Sequence, residues 1–457
     1  MKPSITLVPF AYPDYPQDVV QRFIESSSKM IGSLDVTLTV TAPVVVADDA
    51  EEVRRQIRDA DSDLIVALLV TWVEAPNLVA TLRDFFDRPL LLWSHTTYRE
   101  GDEIITLGPI PAAGVIRETL EEMEVRFKFI YGPPDSAAVG EQIVSSARVA
   151  SAVRALSRAR VGLFGYASIA LSRARVGLFG YASMGMYTGT FDQVKVRRLL
   201  GPEIFHFGQY FIIKAADEMK DEQVGHLVER AKSDWHLGPE VSDTNLIRTM
   251  KVYAALDHLR QEHKLDALTV KCQYEMSRLY KLAPCIPLSM LADQIPASCE
   301  GDVPLILSQL ILHYLSDGQV TGYGDVHDVT EDGIIFAACG FAPLSLLDGK
   351  PEVHAHTALY EGLMTTSSFR QGPITLARLA SDREGFKMHI ATGQARPMPK
   401  YHEIGCPQYA GMRVILDGEV NAFMQHLASQ HYAIVYGDLK EEIVELCQQL
   451  SIRPVVS

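Results

Sequence analysis

Through the first third of the chain, short β-branched apolar runs alternate with polar segments of helical pattern, which is the signature of a parallel sheet covered by helices. Strands are predicted at Ser4–Val8, Val36–Val40, Leu64–Val70 and Leu90–Trp93, with helices at Pro16–Ile31, Ala50–Ala60 and Glu118–Phe127. These β-α units predict a first Rossmann-like domain over residues 1–154. No GxGxxG follows a strand, so nothing there signals a dinucleotide.

Ala155 to Ser168 reads ALSRARVGLFGYAS and recurs letter for letter at Ala170 to Ser183. An identical run of 14 residues recurring at a period of 15 is a tandem duplication, because solenoid repeats run over roughly 20 to 50 residues and diverge to suit their neighbours. The second copy leads into Met184-Gly185-Met186-Tyr187, so Arg175–Phe179 is expected to be the strand and the first copy a longer helix, a loop or disorder. A second Rossmann-like α/β domain is predicted over 155–320, with strands near Arg175–Gly180 and Leu268–Cys272. From 321 to 457 the texture changes. Short runs rich in Gly, Pro and Thr predict strands at Gly333–Cys339, His354–Tyr360, Ile374–Leu379 and Phe386–Thr392, a β-rich, barrel-like domain. Glu441–Leu450 closes the chain as a helix, with Ile443, Cys447 and Leu450 along one apolar side. The fold class is therefore α/β, in two Rossmann-like domains followed by a β-rich barrel.

At 457 residues the chain is too long for one ordinary core, and 47% hydrophobic with 22% charged residues is the mixture of a folded protein. A net charge of −15 argues against a nucleic-acid partner, which would need clustered Lys and Arg. The cysteines, six in number, show no CxxC pair or framework spacing, which predicts a reducing, cytoplasmic setting. The opening MKPSITLVPFAYPDYP reads as a strand broken by Pro9 and Pro13 rather than a signal peptide. The longest uncharged stretch, Gly333 to Leu347, falls short of the ~20 apolar residues a membrane span needs.

Candidate chemistry lies in three separated stretches. Glu275, in Lys271-Cys272-Gln273-Tyr274-Glu275, follows an apolar strand whose carboxyl end would face a ligand crevice; taken alone it reads more readily as a surface acid opening a helix. Asp302 precedes Val303-Pro304 and the apolar run Leu305–Leu315, so it is either an ordinary helix cap or a carboxylate that the helix terminus keeps ionised and aimed. His431 stands before the strand Ala433–Tyr436, as a ligand through one ring nitrogen or as a half-buried strand-edge histidine. A rival metal site is His354-Ala355-His356, two imidazoles on one strand face. No GxSxG, HExxH, P-loop or EF-hand motif is present.

Taken together, GYASMGMYTGTFDQ (Gly180 to Gln193), KCQYE (Lys271 to Glu275), ASCEGDVPLILSQLIL (Ala297 to Leu312), YGDVHDVTEDGIIFAACG (Tyr323 to Gly340) and SQHYAIVYGD (Ser429 to Asp438) make the chain resemble the L-fucose isomerase family and the related L-arabinose isomerases. The resemblance spans most of the chain. It implies a divalent ion, usually manganese, on Glu275, Asp302 and His431, and an aldose–ketose isomerisation through a cis-enediol with Glu275 and Asp302 as acid–base groups. It further implies a sugar substrate and a homo-oligomer (trimer or hexamer), while charge and the lack of a long apolar stretch predict neither membrane nor nucleic acid as partner. Gln273, Tyr187, His327 and Arg370 are candidate hydroxyl-binding groups. An Arg at the far end of the sugar would suit a sulfonate or phosphate, which keeps an anionic sugar open as the substrate. A non-catalytic sugar-binding relative and a metal-dependent aldolase or epimerase are the competing classes.

Overall fold

The computed structural model describes residues 2–100, 103–158, 160–164, 186–272, 275–356, 362–398 and 410–457. The chain divides into two compact units, Met1–Arg154 with Gln448–Leu450, and Ala155–Cys447 with Ser451–Ser457.

In the first unit, β1 (Ser4–Phe10), β2 (Thr37–Val40), β3 (Leu64–Leu69), β4 (Leu90–Ser94) and β5 (Lys128–Tyr131) form one parallel sheet in the order β2-β1-β3-β4-β5. Alternation along the strands divides its apolar residues between two cores. Ile5, Leu7, Val66, Leu68, Leu91 and Trp93 join Ile24 and Ile143 on one face. Val8, Phe10, Ala67, Leu69 and Leu92 join Val53, Ile57 and Ile116 on the other. A parallel sheet covered on both faces reads as near-continuous apolar runs, which is why its strands stood out. The helix expected at Glu118–Phe127 instead spans Pro109–Glu122, because Pro109 fits an N-terminal turn. The following residues straighten into β5, an edge strand too short and mixed to be recognised.

The second unit opens with a four-stranded parallel sheet: β6 (Arg160–Phe164), β7 (Glu203–Phe207), β8 (Ala267–Val270) and β9 (Ala297–Cys299), ordered β9-β8-β6-β7. Here one expectation is corrected. β6 is built from the first copy of the duplication, directly after the helix Ala137–Arg158. Both copies carry the same strand-forming VGLF, so local pattern cannot choose between them, and the copy continuous with the helix takes the strand position. The second copy, Arg175–Gly180 included, lies outside the described residues.

Six antiparallel strands then close a barrel: β10 (Gly322–Thr330), β11 (Gly333–Ala338), β12 (Gly372–Asp382), β13 (Gly385–Arg396), β14 (Ala410–Leu416) and β15 (His431–Tyr436). The ring runs β12-β15-β10-β11-β14-β13 and returns through the β12–β13 pairing, with β16 (Arg453–Val456) added parallel to β13. Phe336, Leu376, Ala391, Met412, Tyr432 and Ile434 fill its apolar core. Closure removes the exposed edges that an open antiparallel sheet would leave. The expected strand from His354 is not part of the ring. Glu352–Ala355 pairs instead with Leu363–Thr365 and His236–Leu237 in a small separate sheet, and 357–360 lie outside the described residues. The parallel sheet and the barrel belong to one unit, where the sequence divides them at 320. Among the described residues, no helix is long and apolar enough to cross a membrane.

Two buried histidines predict an acid transition. His95, between the rings of Trp93 and Phe23 and bonded to Ser27 Oγ at 2.9 Å, is pushed by burial to about 3. His389, bonded to Tyr432 Oη and Ser457 Oγ, is pushed by burial to about 4. Each is neutral in the native state but binds a proton near pH 6.5 when unfolded. Their stabilisation is therefore complete above pH 6.5 and lost as pH falls towards 4, by on the order of 3 kcal/mol each. Denaturation midpoints measured across this range check the prediction. A Gln at either position should flatten the slope.

Candidate active site

The carboxyl ends of β8 and β9 meet the barrel strands β10, β12 and β15 around one buried imidazole. His431 is the first residue of β15 and pairs with Asp325 of β10 in the ladder. Its ring stands edge-on to Tyr323. Nδ1 lies 2.9 Å from Asp302 Oδ2, while Nε2 lies 3.3 Å from both Glu300 Oε2 and Asp325 Oδ1. Three carboxylates thus share one ring. Burial disfavours the imidazolium, but Asp325, Asp302 and Glu300 outweigh it and raise the His431 pKa well above the ordinary value.

Asp302 is the N-cap of the helix Val303–Leu315, with Oδ1 accepting the Leu305 amide at 3.0 Å. Its Oδ2 accepts from His431 and from Arg378 Nη1, the latter at 2.8 Å. Burial would raise its pKa, yet the Arg378 charge and the His431 bond overcome that and hold it at about 2. Both oxygens are engaged in fixed contacts, and the side chain is 1% exposed. Arg378 also donates to Thr188 O at 2.7 Å. Gly189 packs against the same carboxylate, since a Cβ there would stand 3.5 Å from Asp302 Cα.

Glu300 and Gly301 both take left-handed backbone, φ 70° and 67°. For a glutamate this costs roughly 1–2 kcal/mol, and such strain concentrates where a side chain must be aimed. The turn directs Glu300 at His431 and Asp302 onto the helix. Asp325 is half-buried; burial first, then Glu300 and Asp302 raise its pKa, while His431 and His327 oppose them.

The residues singled out in the sequence divide clearly. Asp302 and His431 touch. Glu275 begins a π-helical turn, Glu275–Leu279, at the same sheet edge, and its partner is the buried Lys271, 3.1 Å away. Because Val270 pairs with Cys299 in the β8–β9 ladder, Lys271 and Glu300 leave the sheet at the same level. His327 sits in a β-bulge between Val326 and Asp328, which turns its ring to within 3.9 Å of Asp325. Tyr187 lies on the turn Tyr187–Gly189 beside Arg378, though its ring, like Gln273, lies outside the described residues. Arg370 is not at the site. It stacks on Tyr436 at the other end of β15, five residues or roughly 16 Å from His431. His354 and His356 do not share a ligand, since the first pairs with Glu240 at 2.8 Å and the second faces Cys339.

Glu300, Asp325 and Arg378 were not singled out. Arg378 left a signal, a lone charge within Ile374–Leu379, because an arginine buried on a strand needs a carboxylate partner. Glu300 and Asp325 left none, as each adjoins another acid or histidine of the same motif.

No known family profile matches the chain. Full-length relatives do. A sulfoquinovose isomerase of Alkalicoccus urumqiensis is 23% identical, covering 99% of both chains. One of Priestia aryabhattai is 22% identical over 92% of this chain and 91% of its own. One of Clostridium sp. (strain MSTE9) is 24% identical over 99% of both. This chain is an aldose–ketose isomerase. As an intramolecular oxidoreductase it moves a hydrogen between adjacent carbons of a sugar, and any group that takes part must be one that substrate can reach. Exposure sorts these acids on that criterion. The side chains of Glu275, Asp325 and Glu300 are 41%, 24% and 12% exposed, against 1% for Asp302.

Proposed function

We propose that the chain isomerises an anionic, sulfonated aldose to its ketose through a cis-enediol, with the help of a divalent cation. The name its relatives share supports a sulfosugar in preference to fucose or arabinose. The observation that carries the cation is the division of His431, one nitrogen committed to Asp302 and the other facing Glu300 and Asp325. An imidazole nitrogen with carboxylate oxygens is a donor set for manganese or similar ions. With His431 neutral, as a metal ligand must be, Asp302, Glu300 and Asp325 outnumber Arg378 and leave an excess of negative charge that a cation would offset.

His431, Glu300 and Glu275 would hold the ion. Asp302 orients the imidazole from behind, as outer carboxylates do for ligating histidines. When bound, the cation polarises the sugar's neighbouring oxygens and makes the carbon-bound hydrogen more acidic. Glu275 takes the C2 proton and returns it to C1. Asp325 carries the hydroxyl proton, because its raised pKa suits exchange nearer neutrality, whereas Asp302, held at about 2, serves as a fixed charge. Lys271, 3.1 Å from Glu275, holds that carboxylate in place.

The test incubates chelator-stripped and manganese-loaded protein with sulfoquinovose, glucose and fucose and follows ketose by NMR. Ketose from sulfoquinovose, dependent on added cation and unchanged in mass, is expected. No ketose from any sugar sinks the proposal. Equal turnover of fucose removes the sulfonate from it, and cation-independent turnover removes the metal. Glu275→Gln should abolish turnover with the fold retained, and an unchanged rate refutes its role.

A further inference from the structure

Behind the carboxylates lies chemistry the isomerisation does not use. Cys272 and Cys299 are 2% and 4% exposed and face each other across the ends of β8 and β9, and one oxygen of Glu300 joins their sulfurs with all three atoms within 4.8 Å of one another. The ladder explains the meeting. Val270 pairs with Cys299, so Cys272 leaves the sheet beside it, and the left-handed turn at Glu300 swings its carboxylate onto the same point. Both thiols are free of disulfides. Donors around a tetrahedral zinc-sized ion stand roughly 3.5 Å apart, so small side-chain movements would bring these three into range.

We infer that Cys272, Cys299 and Glu300 form a second metal site, selective for a soft divalent ion such as zinc or cadmium, and that filling it inhibits the enzyme. Two thiolates with a carboxylate are ligands that zinc and cadmium prefer and manganese does not. Glu300 is common to both centres, so an ion held by the thiols draws on the carboxylate that faces His431. A soft ion would therefore act by withdrawing Glu300 rather than by displacing the sugar. The inhibition rests on the role given to Glu300 above; the binding does not.

Cadmium titrated into the full chain should raise the ultraviolet cadmium–thiolate charge-transfer band to saturation at a single equivalent. The band should survive in His431→Gln and vanish in the Cys272→Ser, Cys299→Ser double variant. X-ray absorption of the zinc-loaded native chain, which needs no variant to fold, should show two sulfur neighbours at about 2.3 Å. Manganese-supported turnover should fall in step with the band in the native chain and resist cadmium in the double variant. An oxygen and nitrogen shell only, or a band that persists in the double variant because Cys285 and Cys339 supply it, overturns the site. A band without loss of turnover overturns the inhibition. A band in a chain that isomerises no sugar with any cation leaves the site standing and overturns the isomerase reading instead.

Discussion

Glu300→Gln is expected to lower both manganese affinity and kcat/KM by at least about 100-fold, with the folded state retained. The substitution keeps the volume and removes the charge that faces His431 Nε2 at 3.3 Å. Loss of an outer carboxylate that merely orients a ligating histidine costs about 10–100-fold, and a direct ligand should cost more. Asp302→Asn supplies the comparison, because its loss should fall inside that smaller range. Isothermal titration with manganese and steady-state kinetics on both variants test the assignment. If Asp302→Asn proves the more damaging in metal affinity, the two roles must be exchanged.

Arg378→Met should cost about 3–5 kcal/mol of stability, the usual result of removing one partner of a buried ion pair. Arg378 and Asp302 are each 1% exposed, and their bond ties β12 to the start of the helix Val303–Leu315. Met preserves much of the side-chain length but leaves the Asp302 carboxylate with only His431 and the Leu305 amide. Thr188 O loses its donor as well. Urea denaturation of the native and variant chains measures the effect, and a loss below about 1 kcal/mol would mean that water or His431 replaces the guanidinium. The double variant Arg378→Met, Asp302→Asn should recover part of the stability, because the stranded charge is then gone.

How far the sequence reached depended on the range of the forces involved. Strands β1, β3 and β4 were visible because both faces of their sheet are buried, which leaves little freedom to place a polar residue. β5 and β9 were not, for they are short and gain their definition from the strands beside them. Asp302 was legible as a helix cap because capping is a local rule, written in Val303-Pro304 and the apolar run beyond. Its second role, orienting His431, was invisible, since it depends on residues 76 and 129 positions away. Arg370 shows the converse. Offered by the sequence as a hydroxyl-binding group, it stacks on Tyr436, at the end of β15 away from His431.

From its sequence alone the chain determined its classes of element, a parallel α/β beginning and a β-rich close, together with three segments rich in groups that can bind a cation or move a proton. Periodicity and capping are short-range and survive in a linear reading. Only the tertiary structure decided which acids meet. The β8–β9 register, the left-handed turn at Glu300 and the closure of the barrel bring Glu300, Asp302 and Asp325 onto the two nitrogens of one imidazole. Those contacts join residues far apart in the chain, and their strength comes from a buried, low-dielectric setting that the sequence cannot display.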